Sequence, residues 1–137
     1  MDSGHKREFH KMLEESLRLD ISVMIYGAEI DMDAIEREVS EVFEGVPTEF
    51  LEDHDDYSAE DWKQVCLRLE AKKSALILRS YADKPFSKHL RQGLAQLLNA
   101  KEHGEAATQM TIVLLLKTNQ PSAWDSYLTN RFLWYPS

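Results

Sequence analysis

The stretch Met-Thr-Ile-Val-Leu-Leu-Leu, residues 110–116, decides the fold of this 137-residue chain. It is a continuous apolar run of strand length, which is typical of a strand covered on both faces. Two other segments have a similar character: residues 21–26 (Ile-Ser-Val-Met-Ile-Tyr) and residues 74–81 (Ser-Ala-Leu-Ile-Leu-Arg-Ser-Tyr). Three strands of this kind predict a small parallel sheet that is buried on both faces.

Apolar residues at helical spacing predict helices before and between these strands. The predicted helices cover residues 5–19, 32–43 and 58–71, and a fourth opens at residues 83–85 and ends at 103–104. Helices between buried strands imply right-handed crossovers. We therefore predict an α/β fold with a small three-stranded, mainly parallel sheet, helices packed on it, an extra N-terminal helix and an aromatic C-terminal tail.

The length of the chain suits a single domain over residues 1–137. Within it we expect the N-terminal helix at residues 5–19, an α/β core at 20–117 and the tail at 118–137. The N-terminal helix is expected to dock on the outside of the sheet, with a partner-binding arm as the alternative. The sequence leaves open whether residues 132–135 add a fourth strand, cap the core or form a dimer contact.

Two local patterns predict where helices begin. Asp33 followed by Glu36, and Ser58 followed by Asp61, have the spacing of a capping box. The connection over residues 46–57 is so acidic that we expect it to be a solvated loop or a binding surface.

Charge is distributed very unevenly along the chain. Residues 29–61 hold fourteen acids against one base, Arg37, whereas residues 62–137 hold eleven Lys and Arg against five acids. The net charge of −8 argues against direct binding to nucleic acid or to an anionic membrane, and it favours encounter with a basic protein. One cysteine, Cys66, and the lack of an apolar run of signal-peptide length among the first twenty residues are typical of a cytoplasmic protein.

No sequence pattern indicates an enzyme, a cofactor or a metal site. The five glycines are isolated, so there is no Gly-rich phosphate loop, and no nucleophile elbow is present. Cys66 lies on the apolar face of its helix, where a buried hydrophobe is expected. The acidic residues 52–56 lack the EF-hand spacing, and the five histidines form no zinc pattern.

The order strand, helix, acidic loop, helix, strand, helix, strand over residues 21–116 resembles the barstar-like inhibitors, small acidic proteins that plug the active site of a basic ribonuclease. The residues that carry the resemblance are Val-Met-Ile-Tyr-Gly (23–27), the helix at 32–43, Ser-Ala-Glu-Asp-Trp (58–62), Ala-Leu-Ile-Leu (75–78) and Thr-Ile-Val-Leu (111–114). Where that family has a Gly-x-Asn-x-Asp-Ala motif, this chain has Asp-Tyr-Ser-Ala-Glu-Asp-Trp.

The resemblance implies an immunity or antitoxin-type inhibitor that occludes the active site of a basic partner such as a nuclease toxin. The candidate partner-binding residues are Asp53, Asp55, Asp56, Tyr57, Glu60 and Asp61. Two alternatives stay open. One is an assembly or adaptor protein that self-associates through the aromatic tail, because clustered aromatics are common interface anchors. The other is a small enzyme that uses the acidic loop with a divalent ion.

Overall fold

A computed structural model of the chain describes residues 3–52, 58–69, 73–80, 88–104, 109–120 and 127–135. The elements are α1 (Ser3–Leu19), β1 (Val23–Tyr26), α2 (Met32–Val42), β2 (Thr48–Glu52), α3 (Ala59–Leu69), β3 (Ser74–Ser80), α4 (Lys88–Glu102), β4 (Met110–Leu116) and β5 (Leu133–Tyr135). Helices and strands alternate as far as β4, with a strand that the sequence did not predict between the second and third helices.

Within the described residues, the strands form one parallel sheet with the order β2-β3-β4-β1-β5. The α/β class and the parallel sheet are confirmed, but the prediction of three strands is wrong because the sheet has five. The three predicted strands are its centre, where Val113 of β4 is level with Val23 of β1 and Ile77 of β3. The edges are β2, which the sequence did not predict, and β5, a strand that the sequence left open.

The central strands are apolar throughout because each of their faces is covered by helices. Leu76, Ile112 and Leu114 contribute to a core shared with α3 and α4. Ile77 and Val113 point to the opposite face, whose core is shared with α1 and α2. From β1 the chain crosses to β2 at one edge of the sheet, and it then returns through β3 to β4 in the opposite direction. Because the direction reverses, right-handed crossovers place α2 on one face and the later helices on the other.

Strand β2 corrects the expectation of a solvated loop over residues 46–57 for the first part of this range, and residues 53–57 lie outside the described residues. Thr48–Glu52 pairs in parallel with β3, with Phe50 level with Ile77. The sequence signal for this strand is weak. Glu49 and Glu52 are poor strand formers, and every residue of the strand is at least partly exposed. Its backbone pairing with β3 supplies the order that its composition does not indicate.

The described part of the tail belongs to the fold. Leu133–Tyr135 pairs in parallel with β1, so residues 132–135 include a strand, one of the alternatives that the sequence left open. Leu128 and Phe132, which precede it, are buried against the core shared with α3 and α4. The indole of Trp134 stacks edge-on to Tyr26 at 5.6 Å between ring centroids. Trp124 lies outside the described residues.

Helix α1 docks on the sheet face that carries α2, as expected. Its Phe9 and Leu13 are fully buried, and the Phe9 ring lies 5.5 Å from that of Tyr135. Beyond its end, Lys101 of α4 donates to the carbonyl oxygens of Asp20 and Met110. Burial lowers the pKa of the Lys101 ammonium, an effect that the nearby Asp20 carboxylate opposes.

The predicted capping boxes have different outcomes. Helix α2 is capped by Asp31, whose carboxylate accepts from the backbone N–H of Ala34 at 3.2 Å, so the predicted cap at Asp33 is wrong by two residues. The box at α3 is confirmed: the Asp61 N–H donates to Ser58 Oγ at 3.1 Å, and the Ser58 N–H donates to Asp61 Oδ2 at 3.0 Å. These bonds satisfy backbone donors at the start of a helix.

Candidate functional site

An open groove of about 810 Å³ runs between α2 and the edge strand β2. We call it the acidic groove because its described lining has four carboxylates and one guanidinium. The lining residues are Asp33, Glu36, Arg37, Ser40, Glu41, Glu44 and Phe50.

The amphipathic character of α2 places this charge on one wall of the groove. Met32 and Val39 are buried toward the sheet, together with Phe43 at the end of the helix. Residues 33, 37, 40 and 44 recur at intervals of three or four, and residue 41 lies beside them, so they form a stripe along one flank of the helix. The stripe is therefore a direct consequence of packing the apolar face of α2 on the sheet.

Strand β2 forms the opposite wall and carries the apolar contribution. The Phe50 side chain is 45% exposed although it stands in a five-residue strand. Among the described residues, no strand pairs with the outer edge of β2. An exposed aromatic ring and an unpaired strand edge are both features found at protein-binding surfaces.

One end of the groove is organised by Arg79, near the carboxyl end of β3. Its guanidinium lies 3.1 Å from the Asp33 carboxylate, 3.0 Å from that of Glu36 and 3.7 Å from that of Glu52. These contacts tie β3 to α2 and to the end of β2. Three carboxylates around one guanidinium still leave this end of the groove negative.

The protonation of Glu36 reflects this crowding. Burial raises the pKa of its carboxyl above the usual value, and the negative charges of Asp33 and Glu52 raise it further. Arg79 opposes the shift through its charge and its hydrogen bond. Burial has the larger effect, so the environment disfavours the charged form of Glu36 despite its cationic neighbour.

The six predicted partner-binding residues divide into two groups. Asp53, Asp55, Asp56 and Tyr57 lie outside the described residues. In the sequence they come after Glu52, whose carboxylate lies 3.7 Å from the Arg79 guanidinium.

Glu60 and Asp61, both exposed, stand in the first turn of α3 and do not line the groove. The Glu60 carboxylate accepts from the Gln64 side-chain amide at 3.0 Å, and Asp61 is committed to the capping box with Ser58. Asp61 therefore has a structural role. Any test of Asp61 in binding must distinguish a lost contact with the partner from a broken capping box.

The groove was not predicted, although the sequence shows part of its lining. The acids of α2 are visible in the sequence as the polar face of a helix. Their relation to Phe50 is not, because it depends on β2, which the sequence did not predict. A second arrangement that could not be seen in the sequence is the approach of His10 on α1 to Glu38 and Glu41 on α2, where one possible ligand atom of each residue lies within 4.8 Å of the others.

Comparisons with known proteins identify no family for this chain, so its function is inferred from the geometry of the site. A scan against protein-family models gives no match, and a search of curated proteins gives no significant match. Within the described ranges, no helix combines the length and the apolar character that crossing a bilayer requires.

Proposed function

We propose that this chain is a non-enzymatic acidic interaction protein that binds a basic protein partner through the acidic groove and the acidic residues that follow it. In its specific form, the proposal is an immunity or antitoxin-type inhibitor that acts in the cytoplasm and occludes the active site of a partner such as a nuclease toxin. The observation that carries it is the convergence of the α2 carboxylates and the exposed Phe50 on one open groove.

Electrostatics supports the choice of a basic partner. Exposed carboxylates of one sign attract a positively charged surface at long range, which raises the association rate and rejects acidic competitors. Glu44 and Glu41 are exposed on the stripe away from the Arg79 cluster, and Glu41 also lies 3.8 Å from His10. They are therefore well placed for a partner's Lys or Arg side chains.

An inhibitory mechanism follows from the chemistry that a nuclease requires. Arg and Lys side chains that hold nucleic-acid phosphates also bind carboxylates, in the same charge-assisted geometry. Carboxylates of the groove and of residues 53–61 would take the place of phosphates in the partner's cleft. Phe50 would supply an apolar anchor, since binding energy at interfaces is concentrated in a few large side chains.

The test is a pull-down from native lysate with three variants beside the wild type. The groove variant is Glu41→Lys with Glu44→Lys, and the loop variant is Asp55→Lys with Asp56→Lys. The control reverses Glu8 and Glu14, two exposed acids of α1, so that it has the same net charge as the groove variant. Asp61 is left unchanged because its substitution would remove the cap of α3.

We expect wild type and control to capture the same basic protein and both other variants to lose it. A nuclease assay on the captured protein then tests inhibition: wild-type chain should suppress its activity, and the groove variant should not. Capture by all four proteins would contradict the role of the groove and of the loop. Capture of an acidic protein would contradict the electrostatic basis of the proposal.

Self-association through the tail stays a prediction without an observation that favours it. Phe132 is buried and Trp134 contacts Tyr26, whereas Tyr127 is 58% exposed.

A further inference from the structure

A mixed nitrogen and oxygen cluster lies where α1 crosses α2. His10 Nε2 of α1 contacts Glu38 Oε2 of α2 and lies 3.8 Å from Glu41 Oε2 of the same helix. One ligand atom of each residue lies within 4.8 Å of the others. We propose that these three side chains form a binding site for a divalent transition-metal ion of the zinc type.

The donor set selects this class of ion. Zn²⁺ takes imidazole nitrogen and carboxylate oxygen at about 2.0–2.2 Å. Ligand atoms around a tetrahedral ion of that size stand about 3.4 Å apart, so side-chain rotations that move His10 away from Glu38 and closer to Glu41 would fit the three ligand atoms around one ion. Ca²⁺ and Mg²⁺ prefer sites made of oxygen ligands alone. A histidine ligand therefore distinguishes this site from a general acidic surface.

The two helices position the ligands before an ion arrives. His10 follows Phe9, which is fully buried and fixes α1 on the sheet. Glu38 and Glu41 are three residues apart on α2, so they project from neighbouring positions of one helix face. Buried residues anchor both helices on the sheet, and this reduces the entropy lost when the ion binds.

Exposure suggests a site that keeps one open position. The side chains of His10 and Glu38 are 24% and 23% exposed, whereas that of Glu41 is 61% exposed. Three protein ligands with one side open to solvent leave the fourth tetrahedral position to water.

A simple ion pair accounts for the cluster less completely than a metal site does. An imidazolium carries one positive charge, and here two carboxylates approach the same ring nitrogen. A dication balances both carboxylates and joins α1 to α2 across a separation of 28 residues in the chain. That separation is why no zinc pattern is visible in the sequence.

The experiment measures binding of ZnCl₂ to the full chain by calorimetry and by thermal unfolding. The variants are His10→Asn and Glu41→Gln, with His89→Asn as a control because His89 is an exposed histidine on α4. We expect one ion per chain with micromolar or tighter affinity, a rise in Tm of several degrees, and no comparable effect of MgCl₂. His10→Asn and Glu41→Gln should weaken zinc binding at least about tenfold, whereas His89→Asn should not change it.

Failure of the wild type to bind zinc at micromolar concentration would overturn the proposal, as would undiminished binding by Glu41→Gln. An equal response to magnesium would show only a general acidic surface. If His10→Asn does not fold, Glu41→Gln decides the question, since it changes an exposed side chain and keeps its shape.

Discussion

Replacing Gly93 by alanine should destabilise the protein although it places a better helix former in α4. A Cβ atom at this position would lie 2.2 Å from Nε1, 2.3 Å from Cδ1 and 2.4 Å from Cε2 of Trp62. The Trp62 ring is 5% exposed and packs between α3, α4 and the sheet. It cannot swing into solvent without leaving the core.

The size of the effect follows from two opposed terms. Unstrained contacts between heavy atoms lie at about 3.5–4.0 Å, so the ring or the helix must move by more than about 1 Å. Overpacking of a core costs about 1–3 kcal/mol, and a contact with three ring atoms belongs at the upper end of that range. Replacing glycine by alanine inside a helix stabilises the folded state by about 1 kcal/mol. The net loss is about 2 kcal/mol, or roughly 7 °C in Tm for a chain of this size.

Urea denaturation of Gly93→Ala, Trp62→Leu and the double variant measures this directly. The smaller leucine removes the clash, so the double variant should be more stable than the sum of the two single effects predicts. Gln92→Ala, on the exposed side of α4, is the control for helix propensity. A Gly93→Ala protein as stable as wild type, with additive behaviour in the cycle, would refute the close packing of α3 on α4.

Three further predictions concern charge, capping and the tail. Burial raises the pKa of Glu36, so this carboxyl ionises at higher pH in the folded state than in the unfolded chain. The contribution of Glu36 to stability therefore falls as the pH rises above 4.5, the usual pKa of the group. Glu36→Gln should remove this fall, so the stability of the variant relative to wild type should increase between pH 4.5 and 7; a constant difference in urea denaturation would contradict the raised pKa. Ser58→Ala should cost about 1 kcal/mol because it removes the cap on the Asp61 N–H, and unchanged stability would contradict the capping box. Phe132→Ala should cost about 3–5 kcal/mol in thermal unfolding because the ring is buried, whereas a stable monomer that has lost an oligomer would favour self-association through the tail.

The centre of the fold could be predicted from the sequence because its signals are local and strong. The run at 110–116 is apolar at nearly every position, and β4 has the same bounds. The edges could not be predicted, for a physical reason. Phe50 and Leu51 stand among glutamates, and Leu133–Tyr135 is three residues long, so pairing with β3 and β1 determines their conformation more than their own propensity does.

The candidate site was predictable to a smaller extent. The concentration of acids between residues 29 and 61 is evident from the sequence, but none of the six residues predicted from it is among the described residues that line the groove. The groove requires α2 to lie beside β2, and the cluster at its end requires Arg79 from a distant strand. Proximity of this kind depends on the order of strands in the sheet, which apolar periodicity does not specify.

The most direct measurement is the affinity of the captured basic protein for wild type, for Glu41→Lys with Glu44→Lys, and for the control with Glu8→Lys and Glu14→Lys. It should be made with a chelator present and at low and high salt. If the acidic groove is the binding surface, the groove variant should bind at least about a hundredfold more weakly than the control, and wild-type affinity should fall as salt rises. Equal weakening of the groove variant and the control would show that net charge alone attracts the partner, and it would contradict a specific site in the groove.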